Sequence, residues 1–125
     1  MKYYSSEHQW VQIDGDDAYV GVSRFIIDSL GDISYVELPK EGTDVIVGDD
    51  IGVVESITES EDIYSPISGT IISVNHNLDD DPAILNEHCE GKKGWFCKLE
   101  NIDLAELDDL MDEEAYERYL EKLGN

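Results

Sequence analysis

Apolar and polar positions alternate along most of the first hundred residues and then shift to a helical spacing. Gln9-Trp10-Val11-Gln12-Ile13 and Ala18-Tyr19-Val20-Gly21-Val22 flank the turn-rich Asp14-Gly15-Asp16-Asp17, which predicts a β-hairpin, placed at a sheet edge. Ser23 then caps a short helix carrying Phe25, Ile26, Ile27 and Leu30, and Gly31 stops it. Period two returns in Asp32–Leu38 and is ended by Pro39. Gly42 and Gly48 mark turns around a strand at Val45-Ile46-Val47.

Ile51–Ile57 and Asp62–Pro66 read as strands joined by a polar tip, Thr58-Glu59-Ser60-Glu61. Gly69–Asn75 and Gly94–Leu99 add two more, and Pro82 to Asn86 a turn of helix. From Asp103 onward Leu104, Leu107, Leu110, Met111, Ala115, Tyr116, Tyr119 and Leu120 recur at helical spacing among acidic residues. Short strands at this spacing favour a barrel or sandwich over a doubly wound sheet. No Pro/Ser-rich linker interrupts the chain, so residues 1–125 are expected to form one unit, a β part to about residue 100 and a helical tail packed on it.

Composition narrows the partners. The 125 residues hold 30 acidic and 8 basic side chains, a formal net charge of -22 that repels phosphate backbones and anionic lipids and excludes nucleic acid and membrane surfaces as expected partners. No apolar stretch approaches the ~20 residues of a membrane span, and Met1-Lys2-Tyr3-Tyr4-Ser5 carries no signal-peptide apolar run, so an intracellular location is expected. Cys89 and Cys97 form no CxxC pair.

Catalytic chemistry is thinly supplied. His8, His76 and His88 are scattered. A metal cluster of His76, His88 and Cys89 lacks ligand spacing, since neighbours on a strand point to opposite faces. Asp79-Asp80-Asp81 before Pro82 lacks the glycine turn and distal Glu of a calcium loop and reads as a solvated loop. Glu55, Glu59, Glu61 and Asp62 could be paired carboxylates, but a hairpin tip is exposed and offers no desolvated pocket for acid-base chemistry. Ser56, Ser60 and Ser65 have no nearby His, and no GxSxG or GxGxxG run exists. A binding or carrier module fits these residues better than an enzyme, and no catalytic or metal residue is assigned.

Taken in order, Glu7-His8-Gln9-Trp10-Val11, Leu30-Gly31-Asp32-Ile33, Val36-Glu37-Leu38-Pro39, Gly52-Val53-Val54-Glu55-Ser56, Tyr64-Ser65-Pro66, Gly94-Trp95 and Leu110–Tyr116 resemble the successive blocks of the glycine cleavage H protein family. The resemblance runs from about Tyr3 to Leu120. It implies a mainly β fold, a lipoyl-domain-like barrel-sandwich hybrid of two small antiparallel sheets, with a short helix in the N-terminal half and a C-terminal helical tail. It also implies a non-catalytic role in glycine catabolism. There a covalent lipoate on a hairpin lysine collects an aminomethyl group at a pyridoxal-phosphate decarboxylase, offers it to an aminomethyltransferase and is reoxidised by dihydrolipoamide dehydrogenase. The location implied is a bacterial cytoplasm, or the mitochondrial matrix for a processed eukaryotic chain.

One position departs from that pattern. The family runs Glu-Ser-hydrophobic-Lys, and this chain runs Glu55-Ser56-Ile57-Thr58, with Glu55 and Tyr64 at the family's separation. Lipoate forms an amide with a lysine amine on a long stem, whereas Thr58 offers a short, β-branched hydroxyl. The expectation is a carrier-like scaffold whose cofactor position, Thr58 flanked by Glu55 and Ser56, takes no lipoate. It is expected to bind the system's enzymes or a lipoate-attaching enzyme. The alternative is an ordinary carrier in which the lysine has been changed.

Overall fold

The structure is a computed structural model that describes residues 2–124; the ends of the expected 1–125 unit, Met1 and Asn125, lie outside the described residues. Two antiparallel sheets face one another. The larger has the order β1-β2-β3-β9-β8-β5, built from β1 (Lys2–Tyr4), β2 (Gln9–Asp14), β3 (Asp17–Val22), β5 (Asp44–Val45), β8 (Gly69–Val74) and β9 (Cys97–Glu100). The smaller is β4-β6-β7, from β4 (Ile33–Glu37), β6 (Asp50–Ser56) and β7 (Ser60–Tyr64).

Strand alternation sorts the side chains between two cores. Val11, Ala18, Val20 and Val22 point from β2 and β3 toward the smaller sheet and join Val36, Val54, Ile63, Ile71 and Leu99 in the main core. On the opposite face Trp10 joins Tyr4 and Tyr116 in a second cluster, flanked by Tyr19, Trp95, Met111, Tyr119 and Leu120. Gly21 makes this second layer possible, because a Cβ there would stand 2.3 Å from the Trp10 ring, which lies on its backbone.

Helix α1 (Arg24–Leu30) buries Ile26, Ile27 and Leu30 and ends at Gly31, whose φ of 87° is the left-handed region that favours glycine. Its start corrects the sequence reading. Ser23 occupies the cap position but gives no side-chain cap, because its Oγ lies 2.8 Å from the Tyr116 hydroxyl. The first helical N–H, that of Arg24, donates instead to Glu90 Oε2 at 2.7 Å, and Tyr4 donates to Glu90 Oε1 at 2.7 Å. A carboxylate 66 residues away therefore caps this helix.

Other expectations also shift. The hairpin β2–β3 is interior rather than at an edge, since β1 pairs with β2 and β9 with β3. The strand expected at Val45-Ile46-Val47 is only Asp44–Val45; Ile46 and Val47 lie exposed in a turn closed by Asp49, whose carboxylate accepts from Ile46 N at 2.9 Å. The last strand starts at Cys97 rather than Gly94. The Asp79-Asp80-Asp81 loop is partly helical, as α2 (Asn77–Asp80) anchored by buried Leu78, and α3 runs Ile84–His88.

The tail divides into a 3-10 helix, Leu104–Asp109, and α4, Glu113–Leu123. Asp103 caps the first by accepting from Ala105 N, and Asp112 caps the second by accepting from Ala115 N at 2.8 Å. Between them Met111 exchanges two backbone hydrogen bonds with Tyr4, which lays α4 along the outer face of the larger sheet. Leu104, expected on the apolar stripe, is exposed.

Candidate functional site

The β6–β7 hairpin carries every residue singled out for the cofactor position. Its ladder ends at the pair Glu55 and Ser60, leaving Ser56 to close a turn over Ile57-Thr58-Glu59. Ser56 is buried and does most of the closing. Its N–H donates to the Glu59 carbonyl at 2.8 Å, while its Oγ accepts from Glu59 N at 3.2 Å and Thr58 N at 3.4 Å. A serine hydroxyl that satisfies turn amides in this way holds the apex in one shape.

Thr58 stands exposed at that apex, and its hydroxyl makes no hydrogen bond to the described residues. Ile57 beside it is 86% exposed. Glu59, Glu61 and Asp62 are exposed and Glu55 half-buried, with no ion pair to any of the four among the described residues. Their field is felt at the base of the hairpin, where Asp62 first, then slight burial, Asp50, Glu7 and Glu61 push the Tyr64 phenol above its usual pKa.

The other candidates lie apart. His76 precedes α2 and faces Asp79 at 3.4 Å, and His88 ends α3 beside Glu87. His88 and Cys89 thus sit at a helix end rather than on a strand. Among the described residues no three His, Cys, Asp or Glu side chains are placed to hold a metal. Burial raises the Cys89 thiol to about 11 and the Cys97 thiol to about 12, so both stay protonated and inert near neutral pH.

Sequence spacing missed one constellation, centred on His8. Its backbone holds φ at 72°, its ring stacks on Phe25 at 4.3 Å, and its Nδ1 lies 2.7 Å from the Tyr116 hydroxyl. Burial lowers the His8 pKa, with Glu7 opposing, while burial raises Tyr116 to about 12. A chain in which Ser23 donates to Tyr116 and Tyr116 to neutral His8 satisfies all three groups. Tyr116 stacks on Tyr4 with ring centres 4.2 Å apart and 3° between planes, so the network ties the tail to the sheet. The residues were visible in the Glu7-His8 and Ala115-Tyr116 blocks, but nothing in their spacing pairs them.

An exposed, pre-shaped hairpin on a two-sheet body is what a carrier needs. A family model described as "Glycine cleavage H-protein" matches residues 2–123. The chain belongs to the glycine cleavage H-protein family. It is 44% identical to the glycine cleavage system H protein of Parvibaculum lavamentivorans over 96% of this chain and 95% of that one. It is 47% identical to a probable glycine cleavage system H protein of Haloarcula marismortui, over 94% and 92%. A crystal structure of a glycine cleavage system H protein from Mycobacterium marinum superposes with a TM-score of 0.83 at 28% identity, covering 99% of this chain and 97% of that one.

Family membership establishes a barrel-sandwich carrier fold and a non-catalytic type of protein. Bacterial relatives and a putative mitochondrial H protein of Schizosaccharomyces pombe, 41% identical over 94% of this chain and 69% of that one, belong to the same group. Among the described residues no helix is long and apolar enough to cross a membrane.

Proposed function

We propose that this chain is a glycine cleavage H-protein homologue that keeps the docking hairpin of a carrier and lacks its attachment chemistry. Thr58 takes the place of the lipoyl-lysine, so the chain carries no lipoate and shuttles no aminomethyl group. The observation that carries this reading is the apex itself, a free threonine hydroxyl where an amide-bonded arm requires an amine. The Ser56 bonds support it further, because a turn held by them leaves no room for a register slip that would bring another residue to the tip. The neighbouring lysines in sequence, Lys40 and Lys92, are 18 and 34 residues away.

The chain binds the system's pyridoxal-phosphate decarboxylase, aminomethyltransferase and dihydrolipoamide dehydrogenase, or a lipoate-attaching enzyme, as a non-carrier homologue. With a net charge of -22 it avoids nucleic acid and membranes. Its location in this reading is a bacterial cytoplasm, as for the bacterial relatives, or the mitochondrial matrix if it is a processed eukaryotic chain, as for the mitochondrial relative.

Intact mass of the chain purified from its native host, beside a Thr58→Lys variant, tests the proposal. An unmodified native mass with a lipoylated variant is expected; a lipoyl increment on the native chain overturns it. The intact Glu55-Ser56 turn favours a second reading, an ordinary carrier whose lysine has been changed. Recovery of glycine cleavage by Thr58→Lys in the native host supports that alternative.

A further inference from the structure

The proposed loss of the attachment lysine leaves an apex that keeps the apolar position beside it, Ile57. Ile57 is a branched aliphatic held 86% in water at the end of a turn closed by Ser56. Glu59 follows in the same turn, Glu61 and Asp62 lie further along β7 opposite Val54 and Val53, and none of the three has an ion-pair partner among the described residues; Tyr35, half exposed, lies across the ladder from Glu55. An exposed apolar anchor on a hydrogen-bonded turn, with free carboxylates along the same hairpin, loses less conformational freedom on binding than one on an open loop. Its complement is a cleft with an apolar socket for one aliphatic side chain and a rim of Lys and Arg.

Among the partners proposed above, one must recognise this hairpin before any arm is attached to it. A lipoate-attaching enzyme meets only the bare apex, so an apex that never acquires the arm retains what that enzyme reads. We infer that the chain is a competitive decoy for the lipoate-attaching enzyme, seated through Ile57 and steered by Glu59, Glu61 and Asp62. The inference rests on the proposed absence of lipoate. It adds a function, control of how fast lysine-bearing relatives are loaded. No bond forms on the decoy, which occupies the cleft and leaves unchanged.

The test uses the host's own lipoate-attaching enzyme, with the Thr58→Lys variant as acceptor and the native chain as inhibitor. The native chain is expected to raise the apparent KM for the acceptor and leave kcat unchanged. Its inhibition constant should fall within about threefold of the acceptor KM, since the two differ at one side chain. Ile57→Asp in the inhibitor should raise that constant by roughly tenfold or more. Glu59→Lys with Glu61→Lys should weaken inhibition and flatten its dependence on salt. Because Ile57 lies in water, its variant should keep the native melting temperature, which separates lost docking from lost folding.

Three results overturn the decoy: an acceptor that the enzyme does not load, no inhibition at about tenfold excess of the native chain over the acceptor KM, or equal inhibition by Ile57→Asp. Mass analysis of the native chain after the assay keeps the outcomes apart, because lipoate on that chain refutes the proposed function itself, whereas a bare chain that fails to inhibit refutes only the decoy.

Discussion

Removing a single oxygen tests whether the tail is tied to the body through one shared hydroxyl. In Tyr116→Phe the ring keeps its stack on Tyr4, but Ser23, fully buried, and His8 Nδ1 both lose their partner. A buried polar group left unpaired costs about 1–3 kcal/mol. Ser23→Ala removes one bond but leaves Tyr116 bonded to His8, so about 0.5–1.5 kcal/mol is expected. The double variant should cost about as much as Tyr116→Phe alone, giving a coupling of about 1 kcal/mol. A chain of this length should lose about 3–6 °C of melting temperature per kcal/mol. Urea unfolding near pH 7.5, followed by tryptophan fluorescence, reads all four states. Additive effects, or a Tyr116→Phe loss below about 0.3 kcal/mol, would refute the shared-hydroxyl account. The second result would mean that Ser23 turns back to cap α1 on its own.

Gly52→Ala should destabilise by about 3 kcal/mol or more, because its Cβ would stand 2.2 Å from the Glu37 carbonyl at the β6 bulge; a midpoint like the parent's would mean that β4 and β6 can part without cost. Stability should also fall as pH drops below about 6.5. Burial holds His8 below its unfolded value, so the unfolded chain takes up the proton first and stability is lost from that value down through the folded one. The urea midpoint of the parent minus that of His8→Gln, between pH 5 and 7.5, isolates this contribution from the carboxylates, and a flat difference contradicts it. Raising KCl from 0.1 to 1 M, which shortens the screening length from about 10 to 3 Å, should raise the midpoint by relieving the repulsion of 30 acidic side chains. An unchanged or lower midpoint would show that those charges are already dispersed enough not to strain the fold.

The parts of this fold legible from sequence are those set by neighbours along the chain. Asp14-Gly15-Asp16-Asp17 between alternating runs specifies β2–β3, and the polar tip between Ile51–Ile57 and Asp62–Pro66 specifies the site hairpin, although β7 itself runs Ser60–Tyr64. The misreadings share a different cause. Three residues, Lys2–Tyr4, are too few to show alternation, yet their pairing with β2 moves the first hairpin from the edge to the interior. Ser23 has every local mark of a helix cap, and only Tyr116, 93 residues on, explains why its hydroxyl points elsewhere. Leu78 supplies the single buried anchor that turns an acidic stretch into α2. At the site, the identity of Thr58 was plain from the sequence, but the role of Ser56 as the lock of the turn required atomic positions.

Glu90 also sets the order in which the chain can assemble. Helix α1 has seven residues, well short of the ~12–15 at which isolated helices begin to persist. Neither its carboxylate cap nor the hydroxyl that holds Ser23 exists until residues 90 and 116 have been made. During synthesis α1 therefore lacks both of these bonds even after β7 and α3, which pack on it, have been made. The Arg24 amide is held by a residue distant in the chain, so its exchange should report opening of the contact between α1 and Glu90 rather than fraying of one short helix.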